Sequence, residues 1–485
     1  MANELVGRLD SMLGDGIEAA IATRHRRRLR RLGWGRVLEP SDPGVFASGD
    51  PPPRRGCTLE VLIDGADALR EMAAELSAAQ SYVHLTGWHL EPAFQLEHGS
   101  TLSAVGVLLA DLAQRLNVRV LVWAGAPVPL FHPTRAEVSK AVRSLTEHTQ
   151  IQAHADPREH PMHCHHEKTI VIDGRVAFVS GIDLTDFGGN RLDSQGHHAR
   201  RRIGWHDVAT RLRGPAVADV DAHFRMRWHE LTGEQLGPPA PSEPAGETTV
   251  QVVRTVCEGM YDSIPHGEFR ILDSYLRALR GARELIYLEN QFLWAPELVS
   301  IIAAKLRDPP SSEFRVVILV PGKANNGAED TRGQVGVLID ADAGRGRLLV
   351  ATIRSLSGSP RRADPLYVHA KVAVVDDSWL IVGSANLNAH SLFNDTEMCV
   401  VTDDATLARD TRVRLWAEHL ELTEPEVEQA SPASLVDERW RPIASDQLQR
   451  QRAGEAPTHR LVALPGVSRR AARLLGPLSG LLDDG

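Results

Sequence analysis

Apolar residues recur along this chain in two kinds of block, and the blocks follow the same order in its first and second halves. Residues 67–80 and 269–280 carry them at helical spacing, and each stretch leads into a strand-like run, 81–85 and 284–288. A second amphipathic pair, 102–116 and 298–306, precedes the β-branched runs 118–123 and 314–320, which stop at Pro127 and at Pro321-Gly322. A third pair, 134–146 and 331–340, precedes the largely apolar runs 169–172 and 372–375. Turn formers close both runs, Asp173-Gly174 in one case and Asp376-Asp377-Ser378 in the other. Alternating helices and strands predict an α/β protein: two similar sandwich halves, each a mixed sheet with helices on both faces, related by a pseudo-two-fold.

The blocks also divide the chain. Residues 57–235 form the first half and 248–422 the second, joined by a proline-rich linker at 236–247 that continues neither helix nor strand. Residues 1–56 read as a helical, basic N-terminal segment, and 423–485, rich in Pro, Glu and Arg, as a partly flexible tail. At 485 residues the chain has room for more than one core.

Composition narrows the function classes. A net charge of −9 argues against a general nucleic-acid binder, although basic runs stand at 24–31, 200–202 and 361–362. Cys57, Cys164, Cys257 and Cys399 are scattered and form no disulfide framework. Residues 1–31 lack the apolar core of a secretory signal, and no apolar stretch approaches ~18 residues, the length of a membrane-spanning helix. The expectation is a cytoplasmic monomer that visits membranes peripherally.

Lysine is scarce: of 54 Lys+Arg only Lys140, Lys168, Lys305, Lys323 and Lys371 are Lys. Two of the five sit in one repeated pattern, H-x-K-x-x-x-x-D. It reads His166-Glu167-Lys168 to Asp173 and His369-Ala370-Lys371 to Asp376, at an offset of 369 − 166 = 203 residues. In a strand the His and Lys of each copy share a face, about 6.6 Å apart, while the Asp points to the other. An imidazole beside an ammonium suits a phosphate, the Lys neutralising oxygens while the His attacks phosphorus or moves a proton. Two copies supply one nucleophile and one acid. His154, His160, His163, Cys164, His165 and His166 crowd a short stretch, but their spacing fits no common zinc pattern and Lys168 would repel a cation, so no metal and no other cofactor is expected.

With these motifs in place the chain resembles the phospholipase D superfamily, most of all the plant and animal enzymes, over residues 57–422. The duplicated motif is that family's signature. Gly383-Ser384-Ala385-Asn386 resembles its G-S-x-N, and Trp205-His206-Asp207-Val208 and Asn394-Asp395-Thr396-Glu397 resemble the acidic segments that follow each motif. Tyr287-Leu288-Glu289-Asn290-Gln291-Phe292 is similar to the segment that opens the second half.

The resemblance implies one active site between the halves and metal-independent hydrolysis of a phosphatidylcholine-like lipid to phosphatidic acid, with transfer to alcohols as a side reaction. His166 would become the phosphohistidine and His369 would protonate the leaving alcohol. Lys168, Lys371, Asn386 and Ser384 would hold the phosphate, and Asp207 and Glu397 would each hold the far nitrogen of one His. Asp173 and Asp376 would be structural. Asp183 stands where many members carry Asn, and an ionised carboxylate there would have to turn away or bind a backbone amide. Partners would be a phospholipid and a transient membrane surface, with no nucleic acid. The alternatives are a cardiolipin-synthase-like phosphatidyltransferase and a nuclease of the same superfamily.

Overall fold

The computed structural model describes residues 2–39, 44–97, 103–128, 131–160, 163–189, 203–322 and 328–465. The basic run 200–202, Lys323 and the end of the tail, 466–485, lie outside them.

In the first half the strands are β1 (Arg54–Ile63), β2 (Tyr82–Gly87), β3 (Asn117–Trp123), β4 (Gln152–Asp156), β5 (Lys168–Ile172), β6 (Val176–Ser180), β7 (Gly204–His206) and β8 (Val208–Arg213). In the second they are β9 (Thr248–Val256), β10 (Glu268–Phe269), β11 (Leu285–Glu289), β12 (Arg315–Leu319), β13 (Leu348–Ser357), β14 (Arg362–Val368), β15 (Val372–Val375), β16 (Trp379–Gly383), β17 (Glu397–Thr402) and β18 (Leu461–Ala463). Pairing runs β4-β3-β2-β5-β6-β8-β1 in one sheet. It runs β13-β12-β11-β15-β16-β17-β9 in the other. Position by position the two orders match, parallel and antiparallel neighbours included. The start of β1 also pairs with β9 and ties the sheets together.

Strand alternation sets the layers. In β5, Ile170 and Ile172 pack under helices Gly65–Ser77, Val105–Ala113 and Arg135–Thr146, while Val171 faces Val250, Val252, Met398 and Val400 of the second sheet. Ala373 and Val375 of β15 do the same under helices Arg270–Gly281, Pro296–Arg307 and Ala328–Asp342. On the inner side each sheet shares its cover between the opposite sheet and a helix, Val217–Thr232 for the first and Ala405–Leu420 for the second. Local chemistry fixes helix starts: Thr134 and Glu137 form a reciprocal capping box at the expected third helix.

The linker region 236–247 contains no helix or strand and runs along the first half, with the Ala245 amide on the Gly56 carbonyl at 2.8 Å. The described part of the tail, to residue 465, carries secondary structure. Residues 424–453 are mostly helical, and β18 adds antiparallel to β13 through Leu461, Val462 and Ala463. Short apolar runs there suffice because Val427, Leu435, Val436, Trp440 and Ala444 all reach the second half's core.

The motif aspartates are structural caps of the same kind in both halves. Asp173, at φ 56°, accepts from the amides of Gln80, Ser81 and Tyr82 at 3.0, 2.7 and 3.0 Å. Asp376, at φ 52°, accepts from Arg283, Glu284 and Leu285 at 2.7, 2.8 and 2.8 Å. Each carboxylate anchors the start of its neighbouring strand, and Asp tolerates the left-handed backbone of the turn. Asp173→Ala and Asp376→Ala should each cost about 1–3 kcal/mol of stability in urea unfolding. A loss under about 0.5 kcal/mol, the level of an ordinary surface change, would show that water replaces the carboxylate.

Candidate active site

The segments that carry the two histidines cross between the halves before their strands begin. His165 bridges Thr396, and the His166 amide donates to the Thr396 carbonyl at 2.9 Å. In the mirror arrangement β14 runs parallel to β7, pairing Val368 with His206, and the His369 amide donates to the His206 carbonyl at 2.8 Å. Each imidazole is thereby delivered to a carboxylate of the opposite half. His166 Nδ1 lies 2.9 Å from Glu397 Oε1, and His369 Nδ1 lies 2.6 Å from Asp207 Oδ2. All four residues are buried. A carboxylate on Nδ1 fixes the proton there, so chemistry falls to Nε2 of each ring.

Each lysine is tied to the backbone of its own motif histidine. Lys168 Nζ donates to the His166 carbonyl at 2.6 Å, and Lys371 Nζ to the His369 carbonyl at 2.6 Å. Gly181 brings the halves together here: a side chain on it would strike the Asp207 carboxylate and come within 3.2 Å of Lys371 Cδ. The two lysines differ in their remaining partners. Lys168 Nζ pairs with Asp183 Oδ2 at 3.1 Å, whereas Lys371 Nζ meets the neutral amide oxygen of Gln291 at 3.1 Å. Asp183 also accepts from the backbone amides of Trp88 and His89 at 3.0 and 3.3 Å, so its charge is answered by cation and amides together. Its counterpart at the 203-residue offset is Asn386, fully buried, whose amide nitrogen and oxygen have no hydrogen-bond partner in the protein. Unmet buried polar atoms are costly unless a ligand meets them. The electropositive end of the site is therefore the second half's, at Lys371 and Asn386.

Burial pushes the Lys371 ammonium down to about 7; the Lys168 charge adds to this, while Asp207, Glu397 and Asp183 oppose it. Its charged form exists below that pH and is lost above it. A reaction that needs the ammonium should therefore show kcat/KM falling as pH rises through about 7. A bound phosphodiester would hold the proton on, moving the limb of kcat to higher pH. Coincident limbs would mean that Lys371 does not face the substrate's charge.

Ser384 is engaged within the protein. The sequence places it with Asn386 on the phosphate, but its hydroxyl donates to Glu397 Oε2 and accepts from the Met398 amide at 3.1 Å. Together with Ser391 Oγ, 2.5 Å from Glu397 Oε1, it orients the carboxylate that holds His166. Sequence reading also passed over Gln291, Ser391 and the residues that brace Asp207. His206 is buried with Asp64 Oδ1 on Nδ1 and Glu289 Oε2 on Nε2, both at 2.8 Å. Burial alone would depress its pKa, but these two carboxylates hold it well above the usual imidazole range. His419 closes the chain on Glu289 Oε1 at 2.8 Å. Ionisable residues in a wholly apolar strand were the available signal, since Glu289 ends the run Leu285–Glu289.

Of the crowded histidines, His154 packs edge-on against Trp228, His160 contacts the Glu258 carbonyl at 3.0 Å, and His165 joins Thr396 Oγ1 at 2.9 Å. Cys164 donates its amide to Asp395 Oδ1 at 3.0 Å. His163 faces His390. All four cysteines are free and buried. Among the described residues no helix is long and apolar enough to cross a membrane.

A family model described as "Cardiolipin synthase, PLD-like domain" matches residues 275–417. Phospholipase D A of Dictyostelium discoideum is 25% identical over 469 residues, covering 76% of this chain and 36% of that protein. Phospholipase D alpha 4 of Arabidopsis thaliana is 23% identical, covering 83% of this chain and 72% of that protein, and phospholipase D2 of Bos taurus is 23% identical, covering 73% and 50%. This chain thus spans between about a third and about three-quarters of the length of these relatives. Among solved structures, phosphatidylserine synthase of Haemophilus influenzae Rd KW20 superposes with a TM-score of 0.52 at 14% identity, over 76% of this chain and 86% of that one. The sequence matches over about three-quarters of this chain, the shared fold and the duplicated motif agree that the chain carries a PLD-like domain and is similar to the phospholipase D superfamily.

Proposed function

We propose that this chain is a metal-independent phosphodiesterase that hydrolyses phosphatidylcholine-like glycerophospholipids to phosphatidic acid and the free head-group alcohol. The observation that carries the reading is the pair of crossed His–carboxylate contacts, each with the motif's lysine on its histidine's backbone, together with the buried, unpartnered Asn386. In the first step His166 Nε2 attacks phosphorus, forming a P–N bond as the bond to the head-group oxygen breaks, and His369 gives that oxygen its proton. In the second, His369 takes a proton from water, the hydroxide attacks phosphorus and the P–N bond breaks. Lys371, Asn386 and Lys168 stabilise charge on the equatorial oxygens, with Lys168 released from Asp183 toward the phosphate. Glu397 and Asp207 keep each imidazole in the useful tautomer. Residues 57–235 and 248–422 act as the two catalytic halves of a monomer that meets the membrane peripherally.

A phosphatidyltransferase is the second reading, favoured by the description of the matching family model and differing only in the acceptor, an alcohol in place of water. Phosphatidylcholine vesicles with a primary alcohol, and in parallel phosphatidylglycerol vesicles and a DNA substrate, in buffer containing EDTA, separate these outcomes. Phosphatidic acid with some phosphatidyl alcohol supports the hydrolase; cardiolipin formed from phosphatidylglycerol without hydrolysis supports the transferase. Inertness toward lipid combined with cleavage of DNA would replace both with a nuclease.

A further inference from the structure

Outside the two crossed pairs, three metal-ligand side chains from two distant parts of the chain, His163 in one and His390 with Asp395 in the other, come together. His163 Nδ1 lies 3.1 Å from His390 Nδ1 and 3.5 Å from Asp395 Oδ1. Ligand atoms of all three residues lie within 4.8 Å of one another. The two separations from His163 match the edges of a tetrahedron, because donors held ~2.0–2.1 Å from a zinc ion sit ~3.3 Å apart. Hydrogen bonding leaves His163 Nδ1 overcommitted. His163 Nδ1 carries either one proton or one lone pair, yet it faces both another imidazole nitrogen and a carboxylate oxygen. A second observation points to a missing partner: Asp395 is 1% exposed, and its Oδ2 has no hydrogen-bond partner. One cation accepts lone pairs from all three residues at once.

We propose that His163, His390 and Asp395 form a binding site for one divalent cation of the zinc class, with solvent completing the coordination. Two imidazoles and one carboxylate are the donor set that such ions take. His163 lines a cavity of about 890 Å³, which gives the ion a route in from solvent. The site is one of positioning. His163 stands three residues before His166; His390 precedes Ser391, which holds Glu397; and Asp395 stands two residues before Glu397. A cation here staples the segment that carries the first motif's imidazole to the segment that carries its carboxylate. Spacing along the chain could not reveal it, because His163 finds its partners in the other half.

The test reads binding, not turnover, and so stands apart from the lipid reading. The full chain is stripped with a chelator and titrated with Zn²⁺ against a chromophoric indicator. One tight equivalent per chain is expected in the wild type and in His166→Ala, and it should be lost in His163→Ala and in Asp395→Asn. Zn²⁺ should also raise the Tm of the stripped wild type but not that of His163→Gln, a change at a partly exposed position that the fold should tolerate. Absence of a tight equivalent in the wild type would overturn the proposal. So would an equivalent that survives in folded His163→Gln, or one that disappears in His166→Ala and so belongs to the catalytic imidazoles.

Discussion

His166→Ala and His369→Ala are each expected to lower lipid turnover by about 10⁴-fold or more, because each removes a group that one of the two displacement steps cannot do without. The two variants should part on a phosphodiester with an activated leaving group, such as a nitrophenol. That leaving group needs no proton, so His369→Ala should regain the first step and release a burst of about one equivalent per chain. His166→Ala has no nucleophile and should release none. Substantial steady-state turnover of ordinary lipid by His369→Ala would remove His369 from the acid role.

The second large effect follows from the crossed contacts. Glu397→Gln and Asp207→Asn should each reduce kcat by about 10³–10⁴-fold with the fold intact, since an amide that donates to Nδ1 drives the proton to Nε2 and leaves the ring in the wrong tautomer. The loss falls on the histidine of the opposite half. Glu397→Gln should abolish the burst with the activated substrate, because it disables His166, 2.9 Å away. Asp207→Asn should keep the burst and slow the later turnover, because it disables His369, 2.6 Å away. A burst retained by Glu397→Gln, or lost in Asp207→Asn alone, would contradict this pairing.

Much of this arrangement was legible from residue pattern. Apolar period and turn formers located the paired strands β5 and β15, and the third helix read at 134–146 lies within a residue of the observed Arg135–Thr146. Repetition at one offset exposed the two-half design. What escaped were long-range choices. Ser384 and Asn386 are two residues apart in one turn, and only tertiary packing decides that one hydroxyl serves Glu397 while the amide is left for a ligand. The tail looked too poor in apolar residues to fold alone, and it folds because the second half supplies the core it lacks. His206, Glu289 and His419 come from three separate segments, and His163 lies in the opposite half from His390 and Asp395, so no local pattern could join them.

The claim on which the rest depends is that imidazoles from both halves serve one phosphorus atom within a single chain, with His166 as the nucleophile. The most direct measurement is a single-turnover reaction with excess enzyme and a phosphatidylcholine substrate, quenched in alkaline denaturant and digested for mass spectrometry, since phosphohistidine survives base. The account predicts a transient phosphatidyl group, at most one per chain, on the peptide containing His166. An adduct on His369, or complete turnover through a resolved time course with no adduct on either histidine, would contradict it.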